Sequence, residues 1–300
     1  MPKRSTAILC AAVVVVTFPL HDVFGANSPA TQNLIAKAHS QRISESDLVI
    51  SGDLAGLPAG RIRYLSRTDL LALPLVTYTV SDDPNFARPT EISGIPLEEL
   101  SRALVRDAAS YLVVAVCDDG YQAHYTRSYV TNHHPLLVLT VNGQPPERWP
   151  KDAEGQGQSM GPYMISHRQF DSNPPGAAHQ EAQIPWGVIK LEFRNERDFF
   201  SRIAPLRDAS APGVQDGYRI AQQNCLRCHN RDDVGGKKAG HPWLVLSAWA
   251  TASPDYFESY VHNPKSKNPR AEMPANPDYD SASLQKLTAY FRTFQLQEKP

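Results

Sequence analysis

The sequence predicts a mixed, strand-rich α+β domain followed by a small all-α domain. Runs of β-branched and aromatic residues with strand character lie before residue 203, and amphipathic helical patterns lie after residue 213. Between them, residues 204–212 contain two prolines and few bulky apolar side chains, which is typical of a linker. A chain of 300 residues is long enough for two such domains, and its net charge of −1 argues against nucleic-acid binding.

Residues 1–25 have the pattern of a secretory signal peptide. Lys3 and Arg4 precede an apolar run from Ala7 to Phe18, and the segment closes with small residues up to Gly25. The apolar run is too short to span a bilayer readily, so we expect cleavage and export to the periplasm. Retention as an N-terminal membrane anchor is the alternative.

The first domain is predicted over residues 46–203. Its strands are expected at Leu48–Ile50, Val76–Val80, Tyr111–Cys117, Leu136–Val141 and Trp186–Phe193, with a helix at Pro96–Leu104. Because Tyr111–Cys117 is almost unbroken in its apolar character, it is predicted to be a central strand. Residues 142–186 are rich in glycine, proline and polar groups and are predicted to be mostly loop.

Four segments of this domain resemble the molybdopterin-binding fold of the sulfite oxidase family. They are Ile92-Ser93-Gly94-Ile95-Pro96-Leu97, Cys117-Asp118-Asp119-Gly120-Tyr121, the strand ending in Asn142-Gly143, and Gly161-Pro162-Tyr163. In that family a cysteine thiolate that binds molybdenum precedes the G-x-P-L segment. Residues 81–89 contain no cysteine here, so the resemblance implies the fold without the molybdenum cofactor.

Four histidines of the same domain are candidate metal ligands. They are His124, His133, His134 and His167. Because no second cluster of ligand residues stands at metal-site spacing, hydrogen-bonded or exposed histidines are the favoured interpretation.

The second domain, residues 213–300, shows three helical patterns. They cover Gly213–Asn224, Pro254–His262 and Ser281–Gln295. The last has an apolar stripe at helical spacing, formed by Leu284, Leu287, Tyr290, Phe291 and Phe294.

Directly after the first of these helices comes Cys225-Leu226-Arg227-Cys228-His229, a C-x-x-C-H pattern typical of covalent haem attachment. Two thiols one turn apart can add to the two vinyl groups of one porphyrin, and the adjacent imidazole can ligate its iron. A zinc site would need four ligands, and a thioredoxin-like pair would follow a strand. Both are less favoured, because Cys117 is distant and a helical segment precedes the motif.

With this motif, residues 213–300 resemble a class I-like cytochrome c domain. The resemblance implies one covalent haem c, a crossing of the first and last helices near Gly217 or Tyr218, and Met273 as the second axial ligand. His262 and, more weakly, His241 compete with Met273 for that position. The resemblance also implies that a carbonyl, assigned to Pro242, accepts a hydrogen bond from His229. Trp243 either lines the haem or packs in the core.

These observations favour an exported monohaem c-type cytochrome that carries electrons between redox partner proteins, one of which is a candidate dehydrogenase. The alternatives are a molybdenum oxidoreductase that passes electrons to its own haem, and a haem sensor or peroxidase with an open iron site. Lys265, Lys267 and Arg270 flank the Met273 loop and are predicted to be a docking patch, unless they only solvate the surface.

Overall fold

The structure is a computed structural model that describes residues 34–151, 159–170 and 181–294. The predicted signal peptide lies outside these residues. A strand-rich mixed sheet is followed by a helical unit, which confirms the predicted fold class.

The N-terminal part contains most of the strands. These are β1 (Leu48–Gly52), β2 (Arg63–Leu65), β3 (Val76–Val80), β4 (Thr90–Pro96), β5 (Tyr111–Cys117), β6 (Gln122–Thr126), β7 (Leu136–Val141), β8 (Tyr163–Ser166) and β9 (Trp186–Asn195). Its helices are α1 (Leu34–Lys37), α2 (Arg67–Leu71), α3 (Leu97–Leu104), α4 (Arg127–His133) and α5 (Glu196–Ser201). The five predicted strands and the predicted helix are present. β8 was missed inside the predicted loop region, because four residues are too few to show a period.

The strands form one mixed sheet in the order β2-β1-β9-β8-β7-β4-β3, and β5 joins it through β9 and carries β6. All pairs are antiparallel except β1 with β9. The main apolar core packs α3 and α4 against this sheet.

Strand β5 is apolar on both faces because each face belongs to a different core. Tyr111, Val113, Ala115 and Cys117 belong to the core of the sheet domain. Leu112 and Val114 belong instead to the core of the helical unit, together with two phenylalanines of α5. Successive side chains of a strand point to opposite faces, so a strand buried on both sides shows an unbroken apolar run.

The C-terminal part is built mainly from helices. They are α6 (Val214–Gln223), α7 (Trp243–Ala252), α8 (Pro254–His262), α9 (Pro264–Lys267) and α10 (Ser281–Arg292), with a small hairpin of β10 (Asn230–Arg231) and β11 (Val234–Gly235) between α6 and α7. The three predicted helices are present. α7 was not predicted, because apolar residues cover most of its circumference and hide the helical period.

The first and last helices of this unit, α6 and α10, cross as predicted. The rings of Tyr218 and Tyr290 lie 5.6 Å apart, and Gly217 lies against the backbone of Lys286. A side chain at position 217 would overlap the Lys286 carbonyl oxygen and the Tyr290 side chain. The glycine therefore allows the close approach of the two helices.

Gly217→Ala is expected to lower the free energy of unfolding by about 1–3 kcal/mol, the usual cost of overpacking. In an uncrowded helix the same change would stabilise the protein by up to about 1 kcal/mol. The sign of the change in unfolding free energy therefore shows whether position 217 is crowded. Urea denaturation followed by circular dichroism measures the difference. Gln285→Ala is the control for a change to alanine in the same pair of helices, because this side chain is exposed on α10. A Gly217→Ala variant as stable as the wild type would contradict the close crossing.

Three of the four candidate metal-binding histidines of the sheet domain are placed in aromatic surroundings, and the fourth, His134, is exposed at the C-terminal end of α4. His167 Nε2 lies 3.0 Å from the Tyr129 hydroxyl, and His133 stacks on Phe170 with ring centroids 4.6 Å apart. His124 is buried against the two phenylalanines of α5. Among the described residues, no group of three histidine, cysteine, aspartate or glutamate side chains could hold a metal ion.

Burial makes the stability of this domain depend on pH. It lowers the pKa of His167 from 6.5 to about 3, so the folded protein keeps this ring neutral where the unfolded chain protonates it. The unfolded state then binds more protons between pH 6.5 and 3, and stability falls as pH falls through that window. We expect His167→Asn to reduce the slope of unfolding free energy against pH by up to about 1.4 kcal/mol per unit. Urea titrations from pH 4 to 7 test this, and parallel curves for the two proteins would contradict it.

Candidate cofactor site

A cavity of about 530 Å³ lies in the helical unit and brings the predicted ligands together. Cys225, Cys228 and His229 line it, and Met273 lines it from a loop more than forty positions later in the chain. Most of the remaining wall is apolar or aromatic, formed by Leu246, Trp249, Phe257, Tyr260, Val261 and Phe291.

A tight turn presents the two thiols. Helix α6 ends at Gln223, and Cys225–Arg227 continues as a single 3-10 turn. The amides of Cys228 and His229 both donate to the carbonyl of Cys225, at 3.2 and 2.9 Å. Burial raises the pKa of both thiols, so they are neutral at physiological pH. The turn thus places two thiols and one imidazole on the same cavity.

His229 is held in one tautomer. Its Nδ1 lies 2.6 Å from the carbonyl oxygen of His241, and only a protonated Nδ1 can donate to that oxygen. Burial lowers the pKa of His229 and keeps the ring neutral. The lone pair of Nε2 is therefore the one that can ligate a metal, and the carbonyl bond orients the ring and increases its basicity.

The sequence-based roles of Pro242 and Trp243 need correction. The accepting carbonyl belongs to His241, one residue before the predicted Pro242. Pro242 instead precedes the first turn of α7, where a backbone N–H would have no acceptor within the helix, so proline loses no hydrogen bond there. Trp243 is fully buried, packs on Phe291 with ring centroids 5.0 Å apart, and does not line the cavity.

The Met273 loop is anchored next to α8. The amide of Asn276 donates to the His262 carbonyl at 3.0 Å, and its side chain donates to the Val261 carbonyl at 2.8 Å. Met273 is half-buried and packs against the helical core. The competing His262 is exposed and does not line the cavity. The other competitor, His241, does line the cavity. Because its carbonyl accepts the hydrogen bond from His229, His241 lies on the same side of the cavity as His229.

The donor set fits haem c. Two thiols can form thioethers, a neutral imidazole with an oriented Nε2 can ligate iron, and a thioether sulfur lines the same apolar cavity. A large aromatic macrocycle matches the predominantly apolar wall.

Residues 212–291 match the family model described as cytochrome c oxidase, cbb3-type, subunit III. The C-terminal unit is a cytochrome c domain. Such a domain implies haem c and electron transfer. The match does not extend into the sheet domain.

One solved structure to which the chain is similar is the sulfane dehydrogenase SoxCD from Paracoccus pantotrophus. The sequence identity is 15%, the alignment covers 52% of this chain and 40% of that one, and the TM-score is 0.32. The chain therefore spans less than half the length of that protein. No curated protein matches the chain.

Sequence reasoning missed one part of the cytochrome c site. Tyr121, which belongs to the sheet domain, also lines the cavity, as does Lys238. Tyr121 lies more than a hundred positions before the C-x-x-C-H motif. No local pattern could have linked it to the motif.

Proposed function

We propose that this chain is an exported monohaem c-type cytochrome that transfers single electrons between periplasmic redox partners. The observation that carries the proposal is the meeting of Cys225, Cys228, His229 and Met273 on one cavity. It is an electron carrier rather than an enzyme in this proposal, and its donor and acceptor are other proteins.

Each of these side chains has a defined task. Cys225 and Cys228 would form the covalent attachments, His229 would ligate through Nε2 while the His241 carbonyl holds its Nδ1 proton, and Met273 would supply a second ligand. Haem c, when bound, would supply a one-electron Fe(III)/Fe(II) couple, and a thioether ligand would raise its potential. In this proposal the predominantly apolar wall limits the access of water to both ligands.

The state of Cys117 supports a carrier over a molybdenum enzyme. This thiol is 4% exposed within the core of the sheet domain, and burial raises its pKa strongly. A metal-binding cysteine must be a thiolate, which such surroundings disfavour.

Elemental analysis of protein from a host that makes the molybdenum cofactor tests the proposal. One iron and no molybdenum per chain is expected, and stoichiometric molybdenum would favour the oxidoreductase.

Export can be tested on the intact gene product. None of the helices in the described ranges is both long and apolar enough to cross a membrane. Mass spectrometry of the protein isolated from a periplasmic fraction should show a mature chain starting at residue 26. A chain that keeps residues 1–25 and sediments with membranes would favour the anchor instead.

We propose that three cations near the Met273 loop form the docking patch. Lys265 and Lys267 are exposed on α9, and Arg270 lines the cavity itself. Charge reversal, Lys265→Glu/Lys267→Glu, should slow electron transfer to an acidic partner about tenfold or more at low salt, because complementary charge speeds encounter. Stopped-flow kinetics at increasing ionic strength should show the difference shrinking as salt screens it.

Lys37→Glu/Arg61→Glu is the matched control for net charge, because both side chains are exposed in the sheet domain. If both double variants slow electron transfer equally, or if Lys265→Glu/Lys267→Glu leaves the rate unchanged, this patch is not the docking face.

A further inference from the structure

The turn between β5 and β6 of the sheet domain is fixed to the cytochrome c domain by a backbone hydrogen bond. The amide of Lys237 donates to the Gly120 carbonyl at 2.8 Å. Gly120 has φ +85°, a backbone conformation that other residues rarely adopt, and a Cβ there would lie 3.2 Å from the Lys237 backbone. Glycine at this position therefore allows the backbones of the two domains to approach closely.

The segment that receives this turn is also bonded to the attachment motif. The amide of Gly236 donates to the Leu226 carbonyl at 2.8 Å, and the amide of Ala239 donates to the Cys228 carbonyl at 3.0 Å. Residues 236–239 thus connect the motif to the sheet domain through backbone hydrogen bonds on both sides. The position of the turn relative to the motif is therefore set by the backbone and does not depend on flexible side chains.

A carboxylate of the turn holds one residue from each domain. Asp119 Oδ1 accepts a hydrogen bond from the Tyr121 amide at 2.9 Å, and Asp119 Oδ2 pairs with Lys238 Nζ at 2.6 Å. Lys238 Nζ in turn lies 6.0 Å from the centroid of the Tyr121 ring, at the outer edge of a cation–π contact. Both Tyr121 and Lys238 line the haem cavity.

Among the residues that the structure describes, Tyr121 is the one residue of the sheet domain that lines this cavity. Its side chain is half-buried. Burial raises the pKa of its phenol further above neutrality, so the side chain carries no charge at physiological pH. Tyr121 therefore adds an aromatic surface to the cavity wall without adding a charge.

We propose that Tyr121 is a cofactor-contacting residue through which the sheet domain shields the haem from water and so raises its midpoint potential. The inference rests on the proposed function. The oxidised site carries one more positive charge than the reduced site, and water stabilises the more highly charged form. A ring that keeps water from the cavity therefore favours reduction. The sheet domain thereby contributes to the redox site itself, in addition to any docking role.

The midpoint potential of the full-length, haem-loaded protein tests this inference. In Tyr121→Ala, the ratio of reduced to oxidised protein at a fixed ambient potential should fall about threefold to tenfold, equal to about 28–59 mV for one electron. Tyr121→Phe keeps the ring and should have a potential close to that of the wild type. The fall in Tyr121→Ala should persist at high salt, because the substitution removes no charge.

Tyr64→Ala is the matched control. Tyr64 is also a half-buried tyrosine of the sheet domain, and Arg42 Cζ lies 5.8 Å from its ring centroid, but Tyr64 does not line the cavity. Its replacement should lower the stability of the sheet domain and leave the midpoint potential unchanged. The comparison separates shielding of the haem from a general loosening of the domain.

Nuclear magnetic resonance of the wild-type protein tests the contact directly. Ring protons that touch a haem are shifted by its ring current, and they move again when the iron becomes paramagnetic on oxidation. In protein labelled at its tyrosine rings, the Tyr121 signals are identified by their absence from Tyr121→Phe. They should move on oxidation far more than the Tyr64 signals.

The inference is overturned by an unchanged potential in Tyr121→Ala, by an equal fall in Tyr64→Ala or Tyr121→Phe, or by a fall that disappears at high salt. Tyr121 signals that move no more than those of Tyr64 would also overturn it. If Tyr121→Ala does not take up haem, Tyr121→Leu takes its place, and its potential must fall. Wild-type protein without covalent haem would overturn the proposed function as well, whereas wild-type protein with haem and unshifted variants would overturn only the inference.

Discussion

Replacing both motif cysteines, Cys225→Ala/Cys228→Ala, is expected to abolish covalently attached haem completely. The two thiols lie on the cavity at either end of one tight turn, and thioether bonds to the porphyrin can form nowhere else on its wall. The remaining cysteine of the described residues, Cys117, belongs to the core of the sheet domain. Acid-acetone extraction followed by a pyridine haemochrome spectrum measures the attached haem, with one per chain expected in the wild type.

Cys117→Ala is the matched control for the loss of a thiol. It removes a buried sulfur from the sheet domain and should cost some stability, about 1–2 kcal/mol, while the covalent haem stays in place. Haem that survives extraction in the double variant, or haem lost from Cys117→Ala with the fold intact, would contradict the assignment of the attachment site.

Met273→Ala is expected to lower the midpoint potential by on the order of 0.1 V or more, because the axial ligands are the strongest influence on the potential of a haem. Met273 lines the cavity, is half-buried, and stands in a loop anchored by Asn276 to the end of α8. The weak far-red band of the oxidised protein that reports a sulfur ligand should disappear in the variant. Potentiometry and absorbance of the oxidised protein measure both effects.

His262→Ala is the control that decides between the two candidate ligands. His262 is exposed and does not line the cavity, so its removal should leave the band and the potential unchanged. A band that survives in Met273→Ala and vanishes in His262→Ala would transfer the role of ligand to His262.

The agreement between sequence and structure is best where the interactions are short in sequence. The C-x-x-C-H turn spans five residues, so its thiols and imidazole meet through local backbone hydrogen bonds alone. The periodic patterns of α8 and α10 predicted those helices, because one face of each is buried and the other is not.

Disagreements arise where burial hides a pattern or a partner is distant. α7 has no clear polar face, so its period could not be recognised. From the order Gly240-His241-Pro242, the sequence assigned the carbonyl that orients His229 to Pro242, one residue too late. The direction of each carbonyl depends on the local backbone path, which the sequence order does not give. The unbroken apolar run of β5 predicted a central strand, but not that its second face packs on another domain.

By itself, the sequence indicated the cofactor class, predicted the attachment residues and determined the division into a strand-rich and a helical unit. Covalent attachment and helical periodicity are properties of contiguous residues, and so they can be recognised along the chain. The tertiary structure alone decided that Tyr121 lines the haem cavity and that Arg227 donates to the Glu181 carbonyl of the sheet domain. These contacts join residues many positions apart, and only the packing of two cores on the shared strand β5 brings them together.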